Sequence, residues 1–258
     1  MSLSAGEVER YARHIVLREL GGPGQARLKA ARALVVGAGG LGAPAALYLA
    51  AAGVGRIVLM DADTVSLSNL QRQILFATDD IGQSKAQRGA ARLAALNPEI
   101  EVIADPRMLD EDNAREAVAD VDVVVDGLDS YGARFILNAA RHRAHVPMVS
   151  GAIERFSGQV AVFDSGRDPD SPCYRCLVRE APPDAASCAQ VGVVGAMAGV
   201  VGSWIALETI KLLTGAGEIL SGRLLMIDGL SGEARAARLR PDPACPVCGS
   251  AGLMLSAG

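Results

Sequence analysis

Apolar residues in this chain come in short blocks, and between the blocks they recur at helical spacing. Ala33-Leu34-Val35-Val36, Ile57-Val58-Leu59-Met60 and the stretch Val121 to Asp126 are nearly continuous apolar runs. Runs of this kind suit parallel strands covered on both faces. The pattern predicts strands at about 32–37, 55–61, 100–104, 121–126 and 146–150. Helices are predicted between them at about 40–52, 83–96, 110–119 and 130–143, with Asn97-Pro98 stopping the second. Alternation of this kind implies right-handed crossovers and an α/β fold with a doubly wound, Rossmann-like, mostly parallel sheet. After Gly151 the character changes. A strand is expected at 159–164, a loop-rich stretch at 172–190 and a long helix at 195–214. A C-terminal β extension is expected as a hairpin, 222–228 with 233–239, across Gly229-Leu230-Ser231-Gly232. Met1 to Leu20 reads as one amphipathic helix with Tyr11, Ile15, Val16 and Leu20 on its apolar side. With no repeat and no long linker, residues 1–258 read as a single domain.

Composition narrows the picture. Half of the 258 residues are hydrophobic but only 3% are aromatic, so the core is built from Ala, Val, Leu, Ile and Gly. A net charge of −4 and a pI near 5.5 speak against a nucleic-acid partner. No cationic stretch followed by an apolar one opens the chain, so no signal peptide is expected and the location expected is cytoplasmic. Ala189 to Leu207 carries no charge and approaches the ~20 residues of a membrane span. Gln190 and Ser203 interrupt it, and Glu208 and Lys211 follow at once. It reads as a glycine-hinged core helix, with no membrane partner.

Two phosphate-handling signals are joined in residues 32–73. The first is Gly37-Ala38-Gly39-Gly40-Leu41-Gly42, a G-x-G-x-x-G turn between a strand and a helix. It would let the backbone approach a phosphate at a helix N-terminus. Asp61 lies 19 residues beyond Gly42, where an acidic side chain bonds ribose hydroxyls. The second is the polar loop Ser68-Asn69-Leu70-Gln71-Arg72-Gln73. Arg72, Lys85 and Arg13 supply the cations that a triphosphate needs when charge redistributes in a displacement. Asp129 sits at the carboxyl end of the sheet and can hold Mg²⁺ together with substrate phosphates.

Cys173-x-x-Cys176 and Cys245-x-x-Cys248 are separated by 68 residues. Two such pairs fit a closed tetrahedral Zn²⁺ site that clips the tail to the middle of the chain. Redox-active disulfides are the other use of C-x-x-C pairs. The fifth cysteine, Cys188, lies ahead of the long helix. There it is either a nucleophile with a lowered pKa or an unreactive thiol.

Arg10-Tyr11-Ala12-Arg13, Gly37 to Gly42, Asp61, Ser68 to Gln73, Asp80-Ile81-Gly82-Gln83-Ser84-Lys85, Asp126 to Asp129, Gly151-Ala152 and Cys173-Tyr174-Arg175-Cys176 closely resemble the ThiF/MoeB/HesA adenylyltransferases. These are bacterial relatives of ubiquitin-activating enzymes. The resemblance runs from about residue 5 to Gly249 and implies ATP-dependent adenylation of the C-terminal glycine of a ubiquitin-like sulfur carrier. It implies that Asp61 holds the ribose, that Asn69, Arg72 and Lys85 contact the nucleotide, and that Asp129 holds Mg²⁺. Gly37, Gly39, Gly40, Gly42, Ser68, Gln73 and Ser130 complete the nucleotide site expected. It also implies a homodimer in which Arg13 reaches the ATP of the partner subunit. Cys188 would be a thioester or persulfide nucleophile in some members and dispensable for adenylation in others. About 30–150 would be the nucleotide-binding half, and about 151–249 the half for carrier, zinc and dimer. The carrier would end in Gly-Gly and serve molybdopterin, thiamine or another sulfur-transfer route. No rhodanese-like domain follows the cysteine tail, so a separate sulfur donor protein is expected. Two departures stand out: Ser130 where the family has Asn, and His14 where it has Gln. The rival readings are an NAD-dependent oxidoreductase using the same glycine loop and a non-catalytic carrier-binding module.

Overall fold

Eight strands form one sheet in the order β3-β2-β1-β4-β5-β6-β7-β8. The structure is a computed structural model that describes residues 2–181 and 192–249. β1 (Arg32–Val36), β2 (Arg56–Met60), β3 (Glu101–Asp105), β4 (Val123–Asp126) and β5 (Met148–Glu154) pair in parallel. β6 (Ser157–Phe163), β7 (Arg223–Asp228) and β8 (Glu233–Arg238) extend the sheet antiparallel. The apolar runs are buried on both faces, and the strand alternation feeds two separate cores. Ala33, Val35, Val123 and Val125 point to one, and Leu34, Val36 and Val124 to the other. The first core is covered by α4 (Gly42–Ala52) and α9 (Gly195–Thr214). The second lies under α7 (Tyr131–Arg143) and the short α8 (Tyr174–Leu177).

β5 departs from expectation. It does not stop at 150 but continues through Gly151 to Glu154, then turns back into β6. The change of character at Gly151 thus falls inside a strand. Burial falls along its outer half, from buried Gly151 through Ala152 and Ile153 to exposed Glu154. The expected helix at 110–119 contracts to α6 (Ala114–Ala117), because Asp110 and Asn113 tie the preceding residues into a turn. α5 (Lys85–Leu96) ends where Asn97-Pro98 predicts.

The N-terminal helix is also different. It splits into α1 (Ala5–Arg10) and α2 (Ala12–Ile15), joined at Tyr11. Tyr11 is buried, and its hydroxyl accepts a hydrogen bond from Asn97 Nδ2 at 2.8 Å. Anchoring this side chain breaks the helix, and Val16 is left 76% exposed. α3 (Gly21–Ala30) follows, unforeseen because three glycines and Pro23 give its first turn poor helix propensity. His14 Nδ1 lies 3.1 Å from Gln25 Oε1, so this departure from the family pattern ties α2 to α3.

α9 is, among the described residues, the helix long and apolar enough to cross a membrane. Here it lies on the sheet, burying Met197, Ala198, Val201, Ile205 and Ala206. Glu208 is buried within it and accepts from the backbone N–H of Leu220 at 2.7 Å. The core-helix expectation for this segment matches that packing.

Candidate functional site

The strand order reverses between β1 and β4, and ligands of open α/β sheets bind outside such a switch point. The loops after these two strands lie against each other. Gly37 has φ of +89°, and a Cβ on it would stand 2.7 Å from the carbonyl oxygen of Gly127. A Cβ on Gly42 would stand 1.7 Å from the oxygen of Gly37. Only glycine lets α4 start this close to the loop, and Gly39 and Gly40 then line the crevice.

That crevice is a cavity of about 970 Å³. It brings together Gly37, Gly39, Gly40, Asp61, Arg72, Gln73, Lys85, Asp129 and Ser130. Gly42 sits behind the loop, shaping it without lining the cavity. Ser68 and Asn69 form a 3₁₀ turn beside the cavity. Their carbonyl oxygens accept from Arg72: Ser68 from Nη1 at 3.1 Å and Asn69 from the backbone N–H. They therefore hold Arg72 in place instead of lining the wall. Arg13 is exposed on α2 and does not line the cavity. Cys188 lies outside the described residues.

The polar groups of the cavity divide into tied and untied. Asp61 accepts from the N–H groups of Ala38 at 2.7 Å and Asp63 at 2.8 Å. Burial pushes its pKa up, against those bonds and the charge of Lys85. Lys85 Nζ donates to Asp63 at 2.8 Å. By contrast, Asp129 makes no hydrogen bond or ion pair among the described residues, and it is exposed at the cavity. Gln73 is buried with its Oε1 unpartnered. Buried polar atoms are nearly always paired, so an unpaired one beside a cavity suits a bound ligand. A free carboxylate also has the donor chemistry for a hard divalent cation.

Sequence reasoning missed the brace behind Asp129. Asp126 is fully buried and accepts from Ser150 Oγ at 2.6 Å. Arg134 lies 3.4 Å from it and donates to the carbonyls of Leu128 and Gly151, the latter at 2.7 Å. Burial opposes the Arg134 charge, but Asp126 and Tyr174 more than offset it. Arg134 thereby clamps the turn that carries Asp129. Only its spacing after the helix start could have marked it. Ser130 is the N-cap of α7, its Oγ accepting from Ala133 N–H at 3.3 Å. Asn caps helices equally well, so the substitution keeps the local function.

At the far end of α7 the four remaining cysteines converge. The ligand atoms of Cys173, Cys176, Cys245 and Cys248 all lie within 4.8 Å of one another. Sulfur pairs stand 3.3, 3.5 and 4.0 Å apart, too far for disulfide bonds. With metal–sulfur bonds of ~2.3 Å, a tetrahedral site has sulfur–sulfur edges of ~3.8 Å. The cluster fits that size.

The ThiF family matches residues 11–247. The chain belongs to the ThiF family. The SAMP-activating enzyme E1 of Haloferax volcanii is 46% identical over 258 residues, covering 98% of this chain and 93% of the relative. The sulfur carrier protein adenylyltransferase of Thermus thermophilus is 46% identical over 247 residues, covering 94% and 91%. The molybdopterin-synthase adenylyltransferase of Escherichia coli is 43% identical over 247 residues, covering 96% and 98%. Among solved structures, a crystal structure of E. coli MccB superposes with a TM-score of 0.82 at 23% identity. It covers 93% of this chain and 75% of that one, a likeness of fold. The expected family, the α/β fold and the cysteine cluster of this ThiF-family chain all stand.

Proposed function

We infer that this ThiF-family enzyme is an adenylyltransferase that activates the C-terminal glycine of a ubiquitin-like sulfur carrier with ATP. The observation that carries the reading is a cavity where untied Asp129 and exposed-edge Arg72 meet a glycine turn at a helix N-terminus. The carrier carboxylate attacks the α-phosphorus, a new phosphorus–oxygen bond forms, and pyrophosphate leaves. No general base is needed, because the nucleophile is already ionised. The main-chain N–H groups of Gly39 and Gly40 cradle phosphate, Asp61 takes the ribose hydroxyls, and Asn69 holds Arg72, which with Gln73 and Lys85 binds the nucleotide and its phosphates. Asp129 would hold Mg²⁺, whose charge would offset that of the phosphates. Neither rival reading accounts for an untied carboxylate and cations in one cavity of a chain whose relatives are named adenylyltransferases.

The cysteine cluster is read as a structural zinc site, closed by four thiolates. The active unit is read as a homodimer. Exposed Val200 and Leu207 on α9, with Val16 and Leu17 near the N-terminus, are apolar surface that a second copy would cover. Arg13, exposed and outside its own cavity, would act in the partner's site. The cytoplasm supplies ATP, and a separate protein supplies sulfur. Molybdopterin- and thiamine-type carriers both fit. Cys188 enters no step of adenylation; an adduct on it, sought by mass spectrometry, would give it the following step.

The test is ATP–pyrophosphate exchange with a Gly-Gly-ended carrier. Exchange should require the carrier, and Asp129→Ala should abolish it while the far-ultraviolet spectrum stays unchanged. Mixing the inactive Arg13→Ala and Asp129→Ala chains should restore part of the activity, since one site of each heterodimer is intact. Carrier-independent exchange, or an active Asp129→Ala enzyme, contradicts the assignment.

A further inference from the structure

Arg141, in the last turn of α7, is completely buried. Nη1 donates to the carbonyl of Phe163 at 2.9 Å. Nη2 donates to Asn138 Oδ1 at 2.7 Å and to Ser165 Oγ at 3.1 Å. All three acceptors are neutral, and Nε has no partner. Among the described residues no carboxylate forms an ion pair with it. Asp164, the nearby acid, is held by Arg167 through two bonds of 2.8 and 2.9 Å. A buried guanidinium with no counter-charge is costly, and buried charges are paired or sit by metals. Burial does pull its pKa down to about 10, and Cys173, Asp164, Cys248 and Cys176 act in the opposite direction.

The neighbourhood points one way. Asn138 Oδ1 also accepts from the backbone N–H of Tyr174 at 3.0 Å, inside the first C-x-x-C pair. Asn138 is fully buried and its Nδ2 has no partner. Two orphaned donors thus stand on the helix that abuts the sulfur cluster. The backbone N–H of Asp242 donates to Cys176 Sγ at 3.3 Å, so one sulfur already accepts a main-chain donor.

We propose that Arg141 is the buried counter-cation of the metal–tetrathiolate centre, with Asn138 fixing its guanidinium against the first C-x-x-C pair. The proposal rests on the metal-site reading above. Four thiolates on a divalent cation carry a net charge of −2. One guanidinium halves it without exposing the cluster to water. Arginine suits the place because its planar fork bonds three neighbouring oxygens while the charge stays put. In the metal-free chain the same charge has nothing to balance it. Arg141 is then a device that makes the fold of this region depend on the metal.

Elemental analysis of the full wild-type chain comes first. About one zinc per chain is expected; none would overturn the metal reading itself. Arg141→Met and Arg141→Lys are then compared by chelator competition for zinc. The methionine variant should bind roughly 10–100-fold more weakly, the scale seen for outer-shell partners of metal ligands. The lysine variant keeps the charge and should stay within about threefold of wild type, below that range. Melting curves give a second readout. Arg141→Met should melt below wild type with metal bound and above it with metal removed. Wild-type zinc affinity in the methionine variant, or equal destabilisation with and without metal, would overturn the proposal. Should the methionine variant not fold, the lysine variant decides. A tenfold loss of affinity with the charge retained would equally overturn it.

Discussion

The cavity and the cysteine cluster stand at opposite ends of α7, about 20 Å apart along 13 residues at ~1.5 Å each. Their polar groups are treated in opposite ways. At the N-terminal end Asp129 is untied, Arg72 holds only a loop carbonyl, and the Gln73 oxygen has no partner. At the other end Cys173 and Cys245 are buried, and Cys176 accepts a backbone donor. A site that turns over must leave its groups free for a ligand that comes and goes. A staple must use its thiols internally, while the donors behind it, Arg141 Nε and Asn138 Nδ2, stay unpaired among the described residues. One helix carries both because its residues divide cleanly: Ser130 and Arg134 serve the first, Asn138 and Arg141 the second.

That division can be broken at the staple first. Cys245→Ser should lose the metal and free the tail, which is otherwise joined to β8 and held by the Arg179–Asp242 ion pair. Closing a loop of this length by a cross-link contributes roughly 3–5 kcal/mol, and a loss on that scale is expected in urea unfolding. Limited proteolysis should cut the tail after Arg240. An unchanged urea midpoint would mean that packing, not the metal, holds the tail.

A milder change tests the other end. Arg134→Lys keeps a cation beside Asp126 but cannot reach the Leu128 and Gly151 carbonyls and the Tyr174 hydroxyl together. The Asp129 turn should loosen. A displacement near 1 Å can cost on the order of 10²-fold in rate, so pyrophosphate exchange should fall by about tenfold or more. Zinc content should not change. Loss of both together would show that the two ends of α7 are not separable.

Much of this was legible because it is local. Strand runs, the glycine turn and the C-x-x-C spacing each follow from residues close in the chain, and they name the fold, the cavity and the cluster. What escaped depends on distant partners. Tyr11 breaks the first helix because Asn97 waits for its hydroxyl. Asp126, Ser150 and Arg134 form a brace only once β4, β5 and α7 are assembled. Arg141 reads in the sequence as one of three basic residues in a helix's last turn, a common solvated arrangement. Burial alone sets it apart from Arg143. Ser68 and Asn69 show the converse: the motif foretold their place beside the cavity, yet their main chain does the work through Arg72.

The smallest expected effect concerns Ser130. It adjoins Asp129 and faces the cavity, so a role in binding and a role in capping both fit its position. They differ in what substitution does. If Ser130 acts as the cap of α7, Ser130→Ala removes one acceptor from the first turn and costs about 1 kcal/mol of stability. Ser130→Asn restores the acceptor and should restore the melting temperature. The exchange rate should change little in either variant, because Arg134 still clamps the Leu128 carbonyl and with it the turn. If Ser130 instead bonds the nucleotide directly, the ranking inverts. The alanine variant would then keep its melting temperature but need more ATP to reach half its rate. Melting curves and the ATP dependence of exchange, measured on the same three proteins, separate the two roles.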